Sequence, residues 1–350
     1  MSRHYIVGDP KADELIDALV EFCGPEPRNR ELIREILTTS VKIGREISNR
    51  GELKLINSSL KEMRYALKLF CPFEGTRRAV IFGSARTPET DPCYTMAQQT
   101  AQALTQAGWM TITGAGGGIM EAGNRGAGPG NSFGVNISLP FEQEANPYIQ
   151  GDPKLMDFKY FFTRKLTFMK ESDATFLFPG GFGTLDETFE TLTLVQTGKA
   201  EPRPIVMVEP PDGTYWKDWH EFVVNELATK RKLISSSDLA LFDIASDVDE
   251  AVRLVTRYYA TYHSMRFVGP LAVLRLQHTP PPALVEAWNR DFSDMIESGK
   301  METGPCLPEE KERGEFPELP RLFFKFDNNS FARLHQLIKR INEDMNPAEI

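Results

Sequence analysis

Residues 171–197 read ESDATFLFPGGFGTLDETFETLTLVQT, and this stretch decides the fold. Ala174–Phe178 is a short, nearly continuous apolar run, which is typical of a strand buried on both faces of a parallel sheet. The glycines at positions 180, 181 and 183 then let the backbone turn sharply and leave its amides uncovered. Apolar residues recur at helical spacing from Leu185, so Thr184 is predicted to cap a helix. The stretch therefore predicts a strand, a glycine loop and the start of a helix.

The predicted loop has the features of an anion site. Unpaired amides at a helix N-terminus and the helix macrodipole both favour negative charge, so a phosphate group is the expected ligand. Two acids, Asp186 and Glu187, follow in the first helical turns. Such acids either complement the helix dipole or act on a ligand held by the loop. We assign Glu187 to function and leave both interpretations open for Asp186.

The composition excludes several classes of protein. The chain has 350 residues, a formal net charge of −9 at pH 7 and 25% charged residues, which argues against a nucleic-acid polymer as partner. Its four cysteines match no zinc spacing and its five histidines form no i,i+4 pair, so we expect reduced cysteines and no metal. The N-terminus lacks an apolar signal-peptide core, and no run approaches the ~18 apolar residues of a membrane span. We therefore expect a cytoplasmic protein with no membrane partner.

The pattern along the chain predicts three parts. Residues 1–75 have apolar residues at helical spacing, which predicts an N-terminal helical extension. Residues 76–260 alternate buried strands, turns and helices, which predicts an α/β, doubly wound (Rossmann-like) parallel sheet. Residues 261–350 are predicted to be a C-terminal α/β addition of βαβα order, in which the charged segment 299–320 is an exposed loop.

Individual elements follow from the same periodicities. A polar, proline-containing connection is expected between Leu139 and Lys159. The predicted strands are Ala79–Phe82, Met110–Thr113, Phe133–Leu139, Ala174–Phe178, Pro204–Val208, Leu239–Phe242, Leu271–Leu276 and Leu322–Phe326. The predicted helices after residue 75 are Tyr94–Ala107, Lys159–Lys170, the helix from Leu185, Trp216–Leu227, Val248–Tyr258, Pro282–Ile296 and Ser330–Asn342.

A second glycine loop, Gly114–Glu121 (GAGGGIME), follows the second predicted strand. It does not complete a dinucleotide fingerprint, because GxGxxG starting at Gly114 would need glycine at Ile119, and starting at Gly116 it would need glycine at Glu121. The signal for NAD is therefore weak. The chain also lacks a Gly-Lys-Ser/Thr sequence, so a Walker A loop is excluded. We predict no cofactor.

Several motifs together resemble those of one family. Arg164-Lys165, Asp173-Ala174 and Pro179–Glu187 (PGGFGTLDE) resemble the RK…M…DA and PGGxGTxxE motifs of the LOG (LONELY GUY) phosphoribohydrolases. Phe82–Ser84 and Gly114–Glu121 fit the first and second βα loops of that family. The resemblance covers roughly residues 77–258, about half of the chain.

This chain departs from the family's motif at one position, and the family has carried a second functional label. Met169 comes a place later than the family's methionine, where this chain has Phe168. The family has often been labelled "lysine decarboxylase", but no lysine here lies in a recognisable setting for pyridoxal phosphate. A pyridoxal-phosphate decarboxylase is therefore the least favoured interpretation.

The resemblance implies hydrolysis of the N-glycosidic bond of a nucleoside 5′-monophosphate, such as AMP or a cytokinin riboside monophosphate, to free base and ribose 5-phosphate. It also implies that Arg164 and Glu187 are the catalytic pair, and that the protein is a homodimer or a larger homo-oligomer. The chemistry is consistent, because an oxocarbenium-like sugar is stabilised by a nearby carboxylate and the departing base by a donor. Arg164 either supplies that donor or keeps Glu187 ionised.

The remaining candidate residues form a phosphate side and a base side. The phosphate and ribose candidates are Gly180, Gly181, Gly183, Thr184, Gly117 and Gly118. The base-side candidates are Arg86, Met120, Glu121, Lys165 and Met169, although either methionine also suits a packing role.

The main alternative is a non-catalytic nucleotide-binding or cofactor-carrier protein of the same fold. Such a protein needs the glycine loops but not an arginine paired with a carboxylate. The presence of both Arg164 and Glu187 therefore favours the enzyme.

Overall fold

The computed structural model describes residues 5–139, 144–311 and 314–346. The chain divides into two compact units, Met1–Tyr65 and Ala66–Ile350. None of the helices in the described ranges is both long and apolar enough to cross a membrane.

The first unit is helical, as its apolar spacing predicts. The Asp9 side chain accepts hydrogen bonds from the amides of Lys11 and Ala12 and so caps the first helix, which ends at Gly24 in the left-handed conformation (φ +57°). The helices are α1 (Pro10–Cys23), α2 (Arg30–Glu46) and α3 (Arg50–Phe70), of which α3 continues into the second unit.

A seven-stranded sheet forms the centre of the second unit, and every pair of neighbouring strands in it is parallel. Its strands are β1 (Arg78–Phe82), β2 (Met110–Thr113), β3 (Ser132–Ile137), β4 (Leu155–Phe158), β5 (Ala174–Leu177), β6 (Ile205–Val208) and β7 (Asp243–Ala245). Its helices are α4 (Pro92–Gln106), α5 (Ile119–Ala127), α6 (Phe161–Glu171), α7 (Phe182–Gln196), α8 (Tyr215–Phe222) and α9 (Val248–Tyr258). The predicted α/β doubly wound sheet is confirmed.

Both faces of this sheet are covered, which explains the continuous apolar runs in its strands. Ala79 and Ile81 of β1 point into one core, whereas Val80 and Phe82 point into the other. The end of α3 packs on the second of these cores, where Phe70 stacks on Phe133 with ring centroids 4.3 Å apart.

The strand order β4-β3-β2-β1-β5-β6-β7 places a topological switch between β1 and β5. From β1 the chain builds the sheet outward in one direction to β4, and from β5 it builds outward in the other direction to β7. The loops that follow β1 and β5 therefore diverge and leave a crevice at the carboxyl edge of the sheet. Open parallel sheets bind ligands in such crevices.

Three local predictions in this sheet need correction. The strand β4 was not predicted; it lies in the expected connection before Lys159, of which residues 140–143 fall outside the described residues. The predicted strand Leu239–Phe242 is wrong, because a capping box between Ser235 and Asp238 starts a 3₁₀ turn at Ser236–Leu241, and β7 begins only afterwards. The helix predicted as Trp216–Leu227 is α-helical only in α8 and continues as a π-helical segment, Val223–Lys230.

The C-terminal addition is α/β as predicted, but its order is not βαβα. Four antiparallel strands form a second sheet in the order β10-β11-β9-β8, and two of them, β8 and β10, were not predicted. The elements are β8 (Tyr262–Val268), β9 (Leu271–Leu276), α10 (Pro282–Asp291), β10 (Ile296–Gly304), α11 (Pro308–Lys311), β11 (Arg321–Phe326) and α12 (Phe331–Met345).

The prediction of an exposed loop over residues 299–320 is correct for exposure but only in part for loop structure. Most of the described residues of the segment are exposed, but its first part belongs to β10, and residues 312–313 lie outside the described residues. Glu310 of α11 is fully buried instead, and its carboxylate accepts hydrogen bonds from Arg275 of β9 and Arg321 of β11. Charge content therefore failed to indicate exposure only where a carboxylate is paired with two guanidinium groups inside the addition.

Candidate active site at the switch point of the sheet

A cavity of about 820 Å³ opens at the carboxyl ends of β1 and β5. It lies at the switch point of the strand order, where the loops after these two strands face each other. Its lining residues come mainly from the loop after β1, the start of α6 and the loop that enters α7. They are Phe82, Gly83, Ser84, Ala85, Arg86, Met120, Phe161, Arg164, the run 180–187 and Tyr215.

Hydrogen bonds between loops fix the walls of this cavity. The Ser84 amide donates to the carbonyl of Pro179 at 3.1 Å and so ties the loop after β1 to the loop after β5. The Ile119 amide donates to the carbonyl of Ser84 at 3.1 Å, which adds the loop after β2. The Tyr215 hydroxyl donates to the carbonyl of Gly180 at 2.6 Å. Four βα connections thus hold the glycine loop in one position.

The N-terminus of α7 faces the cavity. This helix begins at Phe182 with Gly181 as its N-cap, so the predicted capping role of Thr184 is wrong. Thr184 is buried in the first turn instead. The first amides of a helix have no carbonyl partner within the helix, and here they border the cavity, so this end is suited to an anionic group.

Gly180 has no room for a side chain. A Cβ atom there would lie 2.2 Å from the Thr184 hydroxyl oxygen and 3.0 Å from the Ser84 amide nitrogen. At Gly183, by contrast, a Cβ atom would meet nothing within 4 Å. The first glycine therefore permits the close approach of two loops, whereas the last leaves the helix N-terminus open to a ligand.

Glu187 lies in the second turn of α7 and lines the cavity, although only 9% of the residue is exposed. Burial raises the pKa of its carboxyl to about 7, against the opposing effect of Lys165 and of Arg164. Among the described residues, the cation within ion-pair distance of this carboxylate is Lys165, at 3.9 Å. Glu187 is therefore a carboxyl that changes charge near neutral pH.

Arg164 reaches the same cavity from α6. Its Nε donates to the carbonyl of Val135 at 2.9 Å, and its guanidinium carbon lies 5.1 Å from the centre of the Phe168 ring. A Cβ atom at Gly114 would lie 2.4 Å from Arg164 Nη2, so the glycine after β2 makes space for this side chain. Burial lowers the pKa of Arg164 to about 10, which still leaves it protonated at neutral pH. The site therefore holds a fixed cation beside a titrating acid.

The structure brings together only part of the predicted site. Arg164 and Glu187 line the cavity, as do the glycines of the loop, Thr184, Arg86 and Met120. Gly118 (φ +63°) packs instead on the loop after β1, where a Cβ atom would lie 2.3 Å from the Ser84 carbonyl oxygen, and Gly117 precedes it in the same loop. The Glu121 carboxylate accepts a hydrogen bond from the Tyr94 hydroxyl at 3.3 Å. None of these last three residues lines the cavity.

Lys165 and Met169 lie on another side of α6. Lys165 pairs with Glu190 at 2.7 Å and with Asp186 at 2.9 Å, and Met169 is buried with its sulfur 3.5 Å from the Thr191 hydroxyl. Both line a second cavity and not the candidate site. The geometry thus places them away from the position expected for a base.

Two lining residues were missed from the sequence. Tyr215 starts α8 directly after the loop that follows β6, and β6 is the neighbour of β5 in the sheet. Its place at the carboxyl edge was a usable signal, because βα loops of neighbouring strands meet there. Phe161 starts α6 and is 53% exposed, and no pattern in the sequence distinguished it from the neighbouring aromatic residues.

One known family model matches part of the chain. Residues 115–255 match the model of a family described as "Possible lysine decarboxylase", which is less than half of the chain. The matched segment contains α6, the glycine loop and α7, and hence both Arg164 and Glu187. No curated protein gives a significant match.

Solved structures resemble about half of the chain at low identity. One is the X-ray structure of TM1055, 19% identical, which covers 51% of this chain and 98% of that chain with a TM-score of 0.37. A second is the molybdenum cofactor binding protein of Rippkaea orientalis, 18% identical, which covers 52% of this chain and 96% of that chain with a TM-score of 0.36. A third is the molybdenum cofactor carrier protein of Chlamydomonas reinhardtii, 19% identical, which covers 52% of this chain and 97% of that chain with a TM-score of 0.37. No functional conclusion follows from likenesses this weak.

Proposed function

We propose that this protein hydrolyses the N-glycosidic bond of nucleoside 5′-monophosphates, such as AMP or a cytokinin riboside monophosphate, to free base and ribose 5-phosphate. The observation behind this proposal is that Arg164 and Glu187 line one cavity together with the N-terminus of α7. A phosphate site, a cation and a carboxyl with a pKa near neutral are the groups that this reaction uses.

Each group has a role in the proposed reaction. The amides of Gly181 and Gly183 bind the 5′-phosphate and so orient the sugar with binding energy remote from the reacting carbon. The ionised Glu187 carboxylate binds the ribose hydroxyls and either polarises the attacking water or stabilises positive charge on the sugar. Arg164 stabilises the departing base as a donor. It is less suited to keeping Glu187 ionised, because Lys165 lowers the pKa of that carboxyl more than Arg164 does.

The size of the cavity supports a nucleotide as ligand. At about 820 Å³ it falls within the range of small-molecule sites and exceeds what a free phosphate needs. Because the phosphate supplies much of the orientation, adenosine is expected to react far more slowly than AMP. Equal turnover of the two would contradict the proposed phosphate site.

The decisive experiment measures free base and ribose 5-phosphate released from a panel of nucleoside monophosphates. Wild type is compared with Glu187→Gln, and Asp218→Asn, an exposed acid on α8 that does not line the cavity, is the control. Hydrolysis by wild type and by Asp218→Asn, with a loss of at least 100-fold in Glu187→Gln, supports the proposal. Binding of a monophosphate without hydrolysis by wild type would replace it with the nucleotide-binding or carrier alternative.

We further propose that the protein acts as a homodimer or larger homo-oligomer that covers the rim of this cavity. Phe182 is 93% exposed and Phe161 is 53% exposed, and both side chains border the opening. Exposed aromatic groups beside a cavity are typical of a surface that another chain covers. A second copy bound there would separate the sugar and its attacking water from bulk solvent.

A further inference from the structure

A second and larger cavity, of about 1040 Å³, lies at the opposite edge of the main sheet, where β1, β5 and β6 begin. Its walls are the amino ends of these strands, the facing sides of α6 and α7, and β8 and β9 of the C-terminal addition. None of its lining residues lines the candidate active site. It is thus a separate cavity between the main sheet with its helices and the C-terminal addition.

Cations dominate the lining of this cavity, which we call the basic cavity. Seven lysine and arginine side chains face three carboxylates, and His263 is also present. The cations are Arg77, Arg78, Lys165, Lys170, Lys199, Arg203 and Arg275, and the carboxylates are Asp173, Glu190 and Glu201.

Most of these cations have a carboxylate partner. Arg77 pairs with Asp173 at 2.8 Å, and Lys165 pairs with Glu190 at 2.7 Å. Arg275 pairs with Glu310 at 2.8 Å, and Arg78 and Lys170 share the single carboxylate of Glu171. Five of the seven cations thus have a carboxylate within ion-pair distance, and two remain.

Arg203 and Lys199 are those two cations. Within the described part of the chain, neither has a carboxylate within 4.0 Å. Arg203 is only 7% exposed, and its Nη1 donates to the carbonyls of Met169 at 2.8 Å and Ser172 at 2.6 Å. Carbonyls satisfy N–H groups but carry no net charge, and the Glu201 carboxylate acts on Arg203 only from beyond ion-pair distance, so the buried guanidinium has no direct counter-ion. A bound anion would supply one.

The wall of the basic cavity formed by β8, β9 and Phe316 also has positive charge nearby. Burial lowers the pKa of His263, and Arg77 and Arg275 lower it further. The His263 ring lies 4.4 Å from the ring of Phe316, which in turn lies 5.4 Å from the Arg275 guanidinium carbon. This wall therefore combines positive charge with an aromatic surface on which a planar or sugar-like group can pack.

We propose that the basic cavity is a second ligand site that binds a diphosphate group, free or esterified, through Arg203 and Lys199. Two uncompensated cations match a ligand with at least two negative charges. The burial of Arg203 shows that the basic cavity is deep, and its volume is typical of small-molecule sites. Both observations favour a small anion over a macromolecule. Arginine and lysine are the side chains that bind phosphate groups most effectively.

Calorimetric titration of the full chain with inorganic pyrophosphate tests this site. Because pyrophosphate also suits the N-terminus of α7, the titration uses a Gly183→Asp background, in which the new acid repels anions from that end. A Cβ atom at Gly183 meets nothing within 4 Å, so the fold tolerates the change. The expected result is binding in this background and a loss of at least tenfold in affinity when Lys199→Glu is added.

Three comparisons complete the test. Lys300→Glu, at a side chain that is 71% exposed and outside the basic cavity, controls for net charge and should leave the affinity unchanged. Arg203→Gln should also weaken binding. Because the hydrogen bonds from Arg203 to backbone carbonyls support the fold, substitution of the exposed Lys199 is easier to interpret. Titration with ADP shows whether the site prefers an esterified or a free diphosphate. Tighter binding of ADP than of pyrophosphate, through the aromatic wall, indicates an esterified ligand, and equal affinity for the two indicates a free one.

The proposal fails if pyrophosphate does not bind the Gly183→Asp variant, or if it binds equally well after Lys199→Glu is added. These results are independent of nucleotide hydrolysis. An absence of hydrolysis in wild type would overturn the proposed function, but the titration would still show whether the basic cavity binds pyrophosphate.

Discussion

Lys165 Nζ lies 3.9 Å from a carboxylate oxygen of Glu187. Burial raises the pKa of Glu187 to about 7, and Lys165 is the strongest of the charges that oppose this rise. The same ammonium group lies closer to Asp186 and Glu190, so one positive charge is shared by three acids of α7. The charge of the proposed catalytic carboxylate is thus set by burial and by one lysine on the neighbouring helix.

This relationship predicts the pH dependence of hydrolysis. If the ionised carboxylate acts, kcat/KM for AMP should rise about tenfold per pH unit below about pH 7 and level off above it. Lys165→Met should move this inflection to higher pH, because it removes the largest charge effect that lowers the pKa of Glu187. Initial rates measured from pH 5 to pH 9 check both statements.

The matched control is Lys170→Met on the same helix, whose ammonium pairs with Glu171 and not with an acid of α7. Its inflection should coincide with that of wild type. An inflection in Lys165→Met at or below the wild-type pH would show that Lys165 does not set the charge of Glu187.

The raised pKa of Glu187 also predicts a cost in stability. A carboxyl whose folded-state pKa is raised destabilises the fold once it ionises, so the free energy of unfolding should fall as pH rises from about 4.5 through about 7. The difference from the usual value of 4.5 corresponds to at most about 3 kcal/mol. Glu187→Gln lacks this carboxylate and should therefore be more stable than wild type at pH 8 and about equal to it at pH 5.

Urea unfolding of both proteins at the two pH values measures this difference. Asp186→Asn serves as the control, because its exposed side chain should show no such pH-dependent gain. A Glu187→Gln protein that is less stable than wild type at pH 8 would contradict the assigned burial effect.

The sequence predicted which segments form the main sheet better than it predicted which segments pair with one another. Continuous apolar runs identify buried strands such as β1 and β5 locally, and closely spaced glycines identify the loop before α7. The short edge strand β4 has no such run, because Asp157 is exposed between two buried residues. Its identity depends on pairing with β3, which is a non-local property.

Position on a helix limited the prediction of the site. Arg164 and Lys165 are adjacent in sequence, but successive residues of a helix point about 100° apart. Arg164 therefore faces the candidate site, whereas Lys165 faces the acids of α7 and the basic cavity. The burial of Glu310 was equally inaccessible, since its partners Arg275 and Arg321 are on strands that meet only in the folded sheet.

Gly180 should be essential for the geometry of the glycine loop. In Gly180→Ala the new methyl group would lie 2.2 Å from the Thr184 hydroxyl, so the loop must move away from α7. We expect kcat/KM for AMP to fall at least tenfold. Gly44→Ala is the control, because this residue does not line the cavity and the new methyl group enters open space.

The Thr184 Cβ atom would also lie 2.7 Å from the new methyl group, so removal of the whole Thr184 side chain should partly restore the activity of Gly180→Ala. The double variant Gly180→Ala/Thr184→Gly is therefore expected to hydrolyse AMP faster than Gly180→Ala alone. Equal rates for the two would place the obstruction elsewhere. Rates on AMP and adenosine are measured in parallel, so that a loss of phosphate binding is separated from a loss of the chemical step.

The exposed aromatic rim of the candidate site predicts self-association. Phe182→Asp places a charge in the proposed contact and should convert the homo-oligomer to monomers. Phe222→Asp, at a half-exposed phenylalanine on α8 that does not border the cavity, should leave the oligomer intact. Light scattering after size exclusion measures the mass. A wild-type protein that is monomeric at micromolar concentration would contradict this prediction.

Glu310 should be the most important charge in the C-terminal addition. Its buried carboxylate accepts hydrogen bonds from Arg275 at 2.8 and 3.0 Å and from Arg321 at 2.9 Å. Glu310→Ala would leave the fully buried Arg321 guanidinium without a carboxylate partner among the described residues, whereas Arg275 would keep Glu315. Removal of one partner of a buried ion pair typically costs about 3–5 kcal/mol. The exposed neighbour gives the control, since Glu309→Ala should change stability by less than about 0.5 kcal/mol.

The pH dependence separates this charge effect from simple loss of packing. Burial alone would raise the pKa of Glu310, but hydrogen bonds from Arg321 and Arg275 lower it below its usual value. Its stabilising effect is therefore complete above the usual carboxyl pKa and is lost as pH falls through the lowered one. The difference in unfolding free energy between wild type and Glu310→Ala should shrink towards acidic pH. A difference that stays constant from pH 7 to pH 3 would assign it to packing and not to the ion pairs.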